Sequence, residues 1–406
     1  PSAPLSLLNL AHLSVVCVAS LLMIAVLRKA WREQREHRIL LPLTTILAVM
    51  FFGQALVGAR LVSQAGARPL LVLHELTAVA LWISLALLVY TSGVLVTNEI
   101  GAPVTDRRQR TKDFFALSKP LIVGLLLITT YGGLVIGMKA WPSFSLTMWT
   151  MIGGALAAGG SSALNQYIDR ELDKKMQRTA KRPLAEGRLT AAEGLSYGLA
   201  LCLLSYYVMA GFVNLLAALL SLAGIFYYVL FYSVWLKKAT VQNIVIGGGA
   251  GAIPPMVGWA AATGHLGLAA WILFAIVFMW TPPHFWALAL WREGDYAKAG
   301  IPMLPVVAGA DETRRQILIY SLVLVPLTFL PSLLGTAGLF YTAAAALLGT
   351  GFLYRAVRVH RLREGAPAEL ACKRLFGFSI SWLFLIFAAI LAERALGLPQ
   401  FPAVFG

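Results

Sequence analysis

Three polar side chains, Asn165, Asp169 and Asp173, recur at every fourth residue where an apolar stretch gives way to a basic one. Four residues turn an α-helix by about 400°, so all three fall within an arc of about 80° and share one face. Like charges at this spacing repel by a few tenths of a kcal/mol on an exposed helix. The cost grows where a membrane limits hydration, so the acids call for a cation between them. Mg²⁺, commonly held by one or two carboxylates plus the phosphates of a substrate, suits such a face. The next turn brings Arg178, Lys181 and Arg182 ahead of Pro183, a cluster suited to phosphate oxygens just beyond the acids. Acid followed by base is the order expected for a metal-bound diphosphate. The plainer alternative is a solvated helix end with Lys174 and Lys175 balancing the acids.

The elements that must position these residues are membrane helices. Of 406 residues, 59% are hydrophobic and 13% charged, against about 45–50% and about 25% in soluble domains. Apolar runs of about 20 residues, the length a bilayer core requires, recur about twelve times, so the expected fold is all-α and polytopic. The acids close the fifth run. Net charge is +15, but Lys and Arg concentrate in alternate short loops, which fits membrane orientation better than nucleic-acid binding. The positive-inside rule makes those loops cytoplasmic and both chain ends external. An external N-terminus that starts at Pro1 with no signal ahead of it leads us to expect upstream sequence, including missing helices. Cys17, Cys202 and Cys372 fit neither a metal nor a redox spacing and read as packing residues. The polar stretch from Thr97 to Lys119 contains Gly101, Pro103 and an Arg-rich run. It reads as a linker, with a module boundary near residue 105 that leaves three spans in 1–105 and nine in 106–406. Glycine runs at 153–160 and 247–251 read as tight helix packing.

The pattern Asn165-x3-Asp169-x3-Asp173, followed by Arg178 and Lys181-Arg182-Pro183, resembles the first signature of the intramembrane prenyltransferases of the UbiA superfamily. That resemblance implies a nine-helix bundle in which the acids hold Mg²⁺ on the diphosphate of a polyprenyl donor. The chemistry is consistent with it. Ionising an allylic C–O bond requires the leaving diphosphate to be neutralised, while a dry aromatic cavity shelters the carbocation. Tyr227, Tyr228, Phe231, Tyr232 and Trp235 are candidates for the aromatic faces, or else form an interfacial belt.

Later motifs narrow the branch. Thr281-Pro-Pro-His284-Phe-Trp286, then Trp291-Arg-Glu-Gly-Asp295-Tyr296-Ala-Lys298, resemble the heme O synthase, or protoheme IX farnesyltransferase, branch. Leu236-Lys237-Lys238, Thr240, Asn243-Ile244, Pro254-Pro255, Gly258-Trp259 and Ser118-Lys119-Pro120 are similar to it as well. The resemblance covers about residues 110 to 395 and implies farnesyl diphosphate as donor and heme b as acceptor. It further implies that Asp295 joins the first acids around the metal, that Lys119, Arg292 and Lys298 meet phosphate oxygens, and that Tyr296 donates a hydrogen bond. His284, ionisable within an apolar span, is a candidate heme contact; a backbone carbonyl freed by Pro282-Pro283 is its plainer partner.

In the first module, His12 and His74 sit a few residues inside the outer ends of spans one and three. These spans run in the same direction, so the two rings lie at similar depth, as in a bis-histidine heme site. Their surroundings, with Gln54 and Gly58, resemble the last three helices of heme A synthase, an enzyme that consumes heme O and is therefore a candidate partner. Heme-binding halves of that family have four helices and three are visible here, so heme capture or hand-over is the most this module implies. Competing readings are prenylation of a quinone precursor, a secondary transporter, which predicts inverted repeats and a midplane site, and a membrane cytochrome.

Overall fold

A computed structural model describes residues 7–63, 68–95 and 106–404; the expected boundary at residue 105 lies outside them. Three helices come first, α1 (Leu7–Glu33), α2 (Leu40–Ser63) and α3 (Arg68–Leu95), then a short polar helix α4 (Arg107–Leu117). After α5 (Pro120–Met138), α6 (Phe144–Asp173) and α7 (Ala191–Phe212) comes a long rod. It is built from α8 (Leu215–Phe226), a π-helical stretch η1 (Tyr227–Leu236) and a last turn α9 (Lys237–Ala239). The chain continues through α10 (Asn243–Thr263), α11 (Leu268–Trp291), a short α12 (Glu293–Lys298) and α13 (Leu304–Leu327), which bends at Gly309. A single turn α14 (Leu330–Leu333) leads to α15 (Leu339–Arg361) and α16 (Gly365–Ala395).

Ten of these helices are long and apolar enough to cross a membrane among the described residues. Two more, α6 and α15, have the length, 30 and 23 residues, with a more polar sequence. Each is embedded in the bundle, α6 between α5 and α7, α15 between α13 and α16. The polarity of α6 is that of the candidate site itself. Helices alternate in direction, so the C-terminal ends of α6, α11 and α15 share one end of the bundle with the N-terminal ends of α5, α7 and α16; we call it the site end.

The stretch expected as a linker is in part helical. Asp106 caps α4, its carboxylate accepting from the Arg108 amide at 2.8 Å. Asp113, 3% exposed, pairs with Arg188 at 3.1 Å. Charge density made this stretch look like a loop, but its acid is neutralised from a distant turn.

The first three helices are docked onto the bundle through α2, while α1 and α3 rest on α2. Small residues make the close approach possible. A Cβ on Gly53 would lie 2.4 Å from the Tyr207 ring of α7, and one on Gly211 2.7 Å from Leu56. Polar clamps hold both ends. Arg60 Nε donates to the Gly211 carbonyl at 2.8 Å, and at the site end the fully buried Glu193 takes Arg35 Nε at 2.7 Å together with Arg110. Glu193 also closes a capping box with Thr190 at the start of α7. Within the bundle α5 and α10 meet backbone to backbone: a Cβ on Gly258 would fall 1.8 Å from the Thr130 carbonyl oxygen. The glycine runs pack as expected at Gly153, Gly160, Gly247 and Gly248, whereas Gly251 faces open space. Cys202 and Cys372 are buried; Cys17 is exposed on α1, so it does not pack the interior.

Candidate active site

The acids lie on the last three turns of α6, inside the bundle at its site end. Asn165, Asp169 and Asp173 are 5%, 2% and 4% exposed. The Asn165 amide nitrogen donates to Asp169 Oδ2 at 2.8 Å, which confirms the shared face. Each acid has a cation. Lys237 Nζ reaches Asp169 Oδ2 at 2.6 Å, and Arg182 Nη1 reaches both oxygens of Asp173 at 2.8 and 2.9 Å. Asp169 Oδ1 remains buried with no partner. An unpaired carboxylate oxygen in such a place is costly unless something else occupies it.

Lys119 completes the ring of cations, its Nζ donating to Asn165 Oδ1 at 3.3 Å. The preceding Leu117 carbonyl is fixed by Ser162 Oγ and Gln166 Nε2, both at 2.8 Å, and Ser118 Oγ meets the Tyr197 hydroxyl at 3.0 Å. With its neighbours held and Pro120 starting α5, Lys119 takes a left-handed backbone conformation, φ 48° and ψ 63°. Such a conformation costs a non-glycine residue about 1 kcal/mol, a strain that the surrounding bonds sustain. Burial, assisted by the Arg182 guanidinium, lowers the Lys119 ammonium from 10.5 to about 7. An ammonium in that position gains from any anion brought beside it.

The sequence did not single out Lys237 or Ser233 as site residues; η1 delivers both. A π-helix winds about 4.4 residues per turn, so Tyr228, Ser233 and Lys237 stack on one face. In an α-helix the nine residues from Tyr228 to Lys237 would make about two and a half turns and put the two on opposite sides. Ser233 Oγ donates to the Tyr228 carbonyl at 2.9 Å and accepts from the Asn165 amide nitrogen at 3.1 Å. With its NH₂ group thus engaged, Asn165 presents its oxygen to Lys119. Nothing in Tyr227–Lys238 announces π winding, although Lys237 was visible within the Leu236-Lys237-Lys238 motif. Replacing Ser233 by Ala should lower kcat/KM for prenyl transfer about tenfold, the worth of one orienting hydrogen bond in a buried network. In an Asn165→Ala background the same change should cost nothing further; additive losses would separate the two residues.

The second half of the site comes from α12. Asp295 Oδ2 is buried without a hydrogen bond and lies 3.7 Å from Arg292, whose guanidinium stacks on Trp291. Tyr296 is 8% exposed and hydrogen-bonded by Arg178; burial pushes its phenol up and the guanidinium opposes the shift, so it stays an O–H donor. Asn243 ties the two halves, its amide nitrogen 3.4 Å from the carbonyls of both Lys237 and Pro302. Among the described residues no three His, Cys, Asp or Glu side chains gather into a ready-made metal cluster. Each acid is instead turned to its own cation: Lys237, Arg182 or Arg292. Lys181 and Lys298 are exposed and paired with none of the acids, because the turns after α6 direct Arg182 inward and Lys181 outward. The side chains nevertheless suit Mg²⁺, which needs only one or two carboxylates beside substrate phosphates; Asp169 Oδ1 and Asp295 Oδ2 both lack a hydrogen-bond partner.

His284 of α11 is buried between the Trp280 and Phe376 rings, stacked at 4.3 and 4.7 Å. The Ser379 hydroxyl donates to the Phe376 carbonyl at 2.7 Å, so its contact with His284 Nδ1, also 2.7 Å, carries the imidazole proton. The ring therefore has its proton on Nδ1 and a lone pair on Nε2, which meets no hydrogen-bond partner among the described residues. The expected backbone carbonyl is not its partner. The aromatic set divides. Tyr228 and Tyr232 stack 5.7 Å apart on the inner side of η1, while Tyr227, Phe231 and Trp235 line an open groove on its outer side.

In the first module His74 lies over Gly58, where a Cβ would come 3.0 Å from the ring. His74 Nδ1 and Gln54 Oε1 are buried without partners, whereas His12 is exposed on α1.

A polytopic helical bundle with a buried acid face ringed by cations at one end defines an intramembrane transferase. The chain belongs to the UbiA prenyltransferase family, whose profile matches residues 126–385. Among its relatives, the protoheme IX farnesyltransferase of Roseiflexus castenholzii is 42% identical over 95% of this chain and 75% of its own length. That of Methylorubrum extorquens is 51% identical over 70% of this chain and 90% of its own. The fold is similar to that of a UbiA homolog from Archaeoglobus fulgidus solved with GPP and Mg²⁺, with a TM-score of 0.51 and 17% identity over 69% of this chain and 99% of that one.

Proposed function

We propose that this chain transfers the farnesyl group of farnesyl diphosphate to a vinyl group of heme b, giving heme O and free diphosphate. The observation that carries the reading is the unpartnered Asp169 Oδ1 inside a ring formed by Lys119, Arg182 and Lys237. Its relatives' activity supports heme as acceptor.

In this reading Lys119, Arg182 and Lys237 take the diphosphate oxygens, with Arg178 and Arg292 at the rim and Lys181 and Lys298 adding positive field from the surface. Tyr296 donates its hydroxyl to the leaving group. Mg²⁺, when bound by Asn165, Asp169, Asp173 and Asp295, supplies the charge that lets diphosphate depart. The allylic C–O bond breaks with its electron pair on oxygen, and the Tyr228 and Tyr232 rings face the cation left behind. The vinyl π-electrons form the new C–C bond. Water then captures the resulting carbocation and gives up a proton. In this reading His284 takes the heme iron through Nε2, its remaining lone pair supporting the role. The density of basic residues at the site end favours a cytoplasmic, inner-membrane orientation for it.

Purified protein incubated with farnesyl diphosphate, Mg²⁺ and either heme b or 4-hydroxybenzoate should add a farnesyl and a hydroxyl group to heme alone. Prenylation of the benzoate alone would overturn the heme assignment.

We further propose that residues 1–105 form a heme-capturing module ligated through His74, with His12 as second ligand. The orphaned His74 Nδ1 and Gln54 Oε1 beside Gly58 favour this. A heme A synthase downstream would consume the product. His74→Ala should remove any low-spin heme spectrum without stopping prenyl transfer; an unchanged spectrum would return His74 to a packing role.

A further inference from the structure

At the site end of the bundle, α15 and α16 leave a cleft of about 200 Å³ lined by Tyr354, Arg355, Arg358, Ala371 and Arg374. Three guanidiniums border it and no carboxylate does. Among the described residues none of the three makes an ion pair, although nearby cations do: Arg314 and Arg363 share Asp311, and Lys373 pairs with Glu369. Arg355 is held in place, its guanidinium 3.8 Å over the Phe378 ring and Nη1 donating to the Gly351 carbonyl at 2.9 Å. That leaves most of its five N–H donors free. Three like charges around one cleft repel unless an anion lies between them, and planar guanidinium forks match phosphate oxygens.

The surroundings select the kind of phosphate. Towards the middle of the bundle the same face of the two helices becomes apolar and open. Leu347, two turns from Tyr354 on α15, is 76% exposed, and Phe384 on α16 is 43% exposed. Between cleft and Phe384 lies Gly377, around which no heavy atom stands within 4 Å of a Cβ position. These exposed apolar residues, with Gly377 bare of any side chain between them, make an apolar seam beside the arginines on the outside of the bundle. A soluble anion has no use for it, whereas a lipid sets its head in the cleft and an acyl chain in the seam. We propose that Arg355, Arg358 and Arg374 hold the phosphate of an anionic phospholipid, one of whose chains lies over Gly377. Basic pockets between membrane helices commonly recognise such head groups. The arginines that orient the chain in the bilayer thus also form a defined lipid site, separate from the prenyl-transfer machinery.

The full chain, delipidated in detergent, should be given phosphatidylglycerol, phosphatidylcholine or inorganic phosphate. Native mass spectra should show a retained phosphatidylglycerol adduct, and the unfolding midpoint should rise by about 3 °C with that lipid alone. The triple variant R355Q/R358Q/R374Q should lose about nine-tenths of the adduct and all of the shift. Gly377→Leu, which keeps the charges and fills the seam, should weaken the adduct as well and serves if the triple variant fails to fold. An equal shift with phosphatidylcholine or with phosphate alone, or an adduct untouched in both variants, would overturn the lipid site.

Discussion

Asp169→Asn should cut prenyl transfer by about 10² to 10³-fold while leaving heme binding near that of the wild type. Asparagine keeps the shape of the side chain and its contact with the Asn165 amide, but removes the negative charge. It leaves Lys237 unpaired in a site already rich in cations. Without that carboxylate the leaving diphosphate loses an anchor for its counter-ion, and removing one preorganised electrostatic group of this kind costs about 10² to 10³ in rate. Product mass after single turnover, together with Mn²⁺ binding followed by electron paramagnetic resonance, measures both consequences. Retained turnover with undiminished Mn²⁺ binding would show that Asp169 serves only to pair with Lys237.

The second large effect belongs to Lys237. It is the cation on Asp169 Oδ2, with its side chain 17% exposed and that of the acid 3%. Lys237→Ala leaves a buried carboxylate uncompensated, which costs about 3 kcal/mol or more. The metal-free variant should therefore unfold several degrees below the wild type. Mg²⁺ should then stabilise the variant more than it does the wild type, because the ion replaces the missing charge. Transfer should fall about 100-fold through the lost phosphate contact. Lys237→Arg should recover part of both. Thermal unfolding with and without Mg²⁺ is the measurement, and equal Mg²⁺ shifts in variant and wild type would dissociate Lys237 from the metal site.

How much of this could be read in the sequence depends on the range of the interaction. The face of Asn165, Asp169 and Asp173 was legible because it follows from helix geometry over eight residues, and Arg182 from its place nine residues beyond Asp173. The helical bundle was legible from apolar run lengths. What escaped depends on distant partners or on unusual winding. Ser379, 95 residues from His284, decides which imidazole nitrogen carries the proton. The strain at Lys119 depends on Ser162 and Gln166 fixing Leu117. The docking of α2 on α7 rests on Gly53 facing Tyr207 and Gly211 facing Leu56, pairings that no local pattern encodes. Asp295 stands out in the sequence by its company of Arg292 and Tyr296, whereas nothing local announces that Lys237, 68 residues from Asp169, is that acid's cation.

The wide turns of η1 place a constraint on how this chain can vary. Its residue count is fixed by angle: removing a single residue between Tyr228 and Lys237 would swing everything downstream by about 80° and carry the lysine off the carboxylate. Loops at the opposite end of the bundle can lengthen or shorten without that penalty. Family members should therefore tolerate almost any substitution on the lipid side of this rod, yet no insertion or deletion within it, which makes its length a better fingerprint of a working enzyme than its composition.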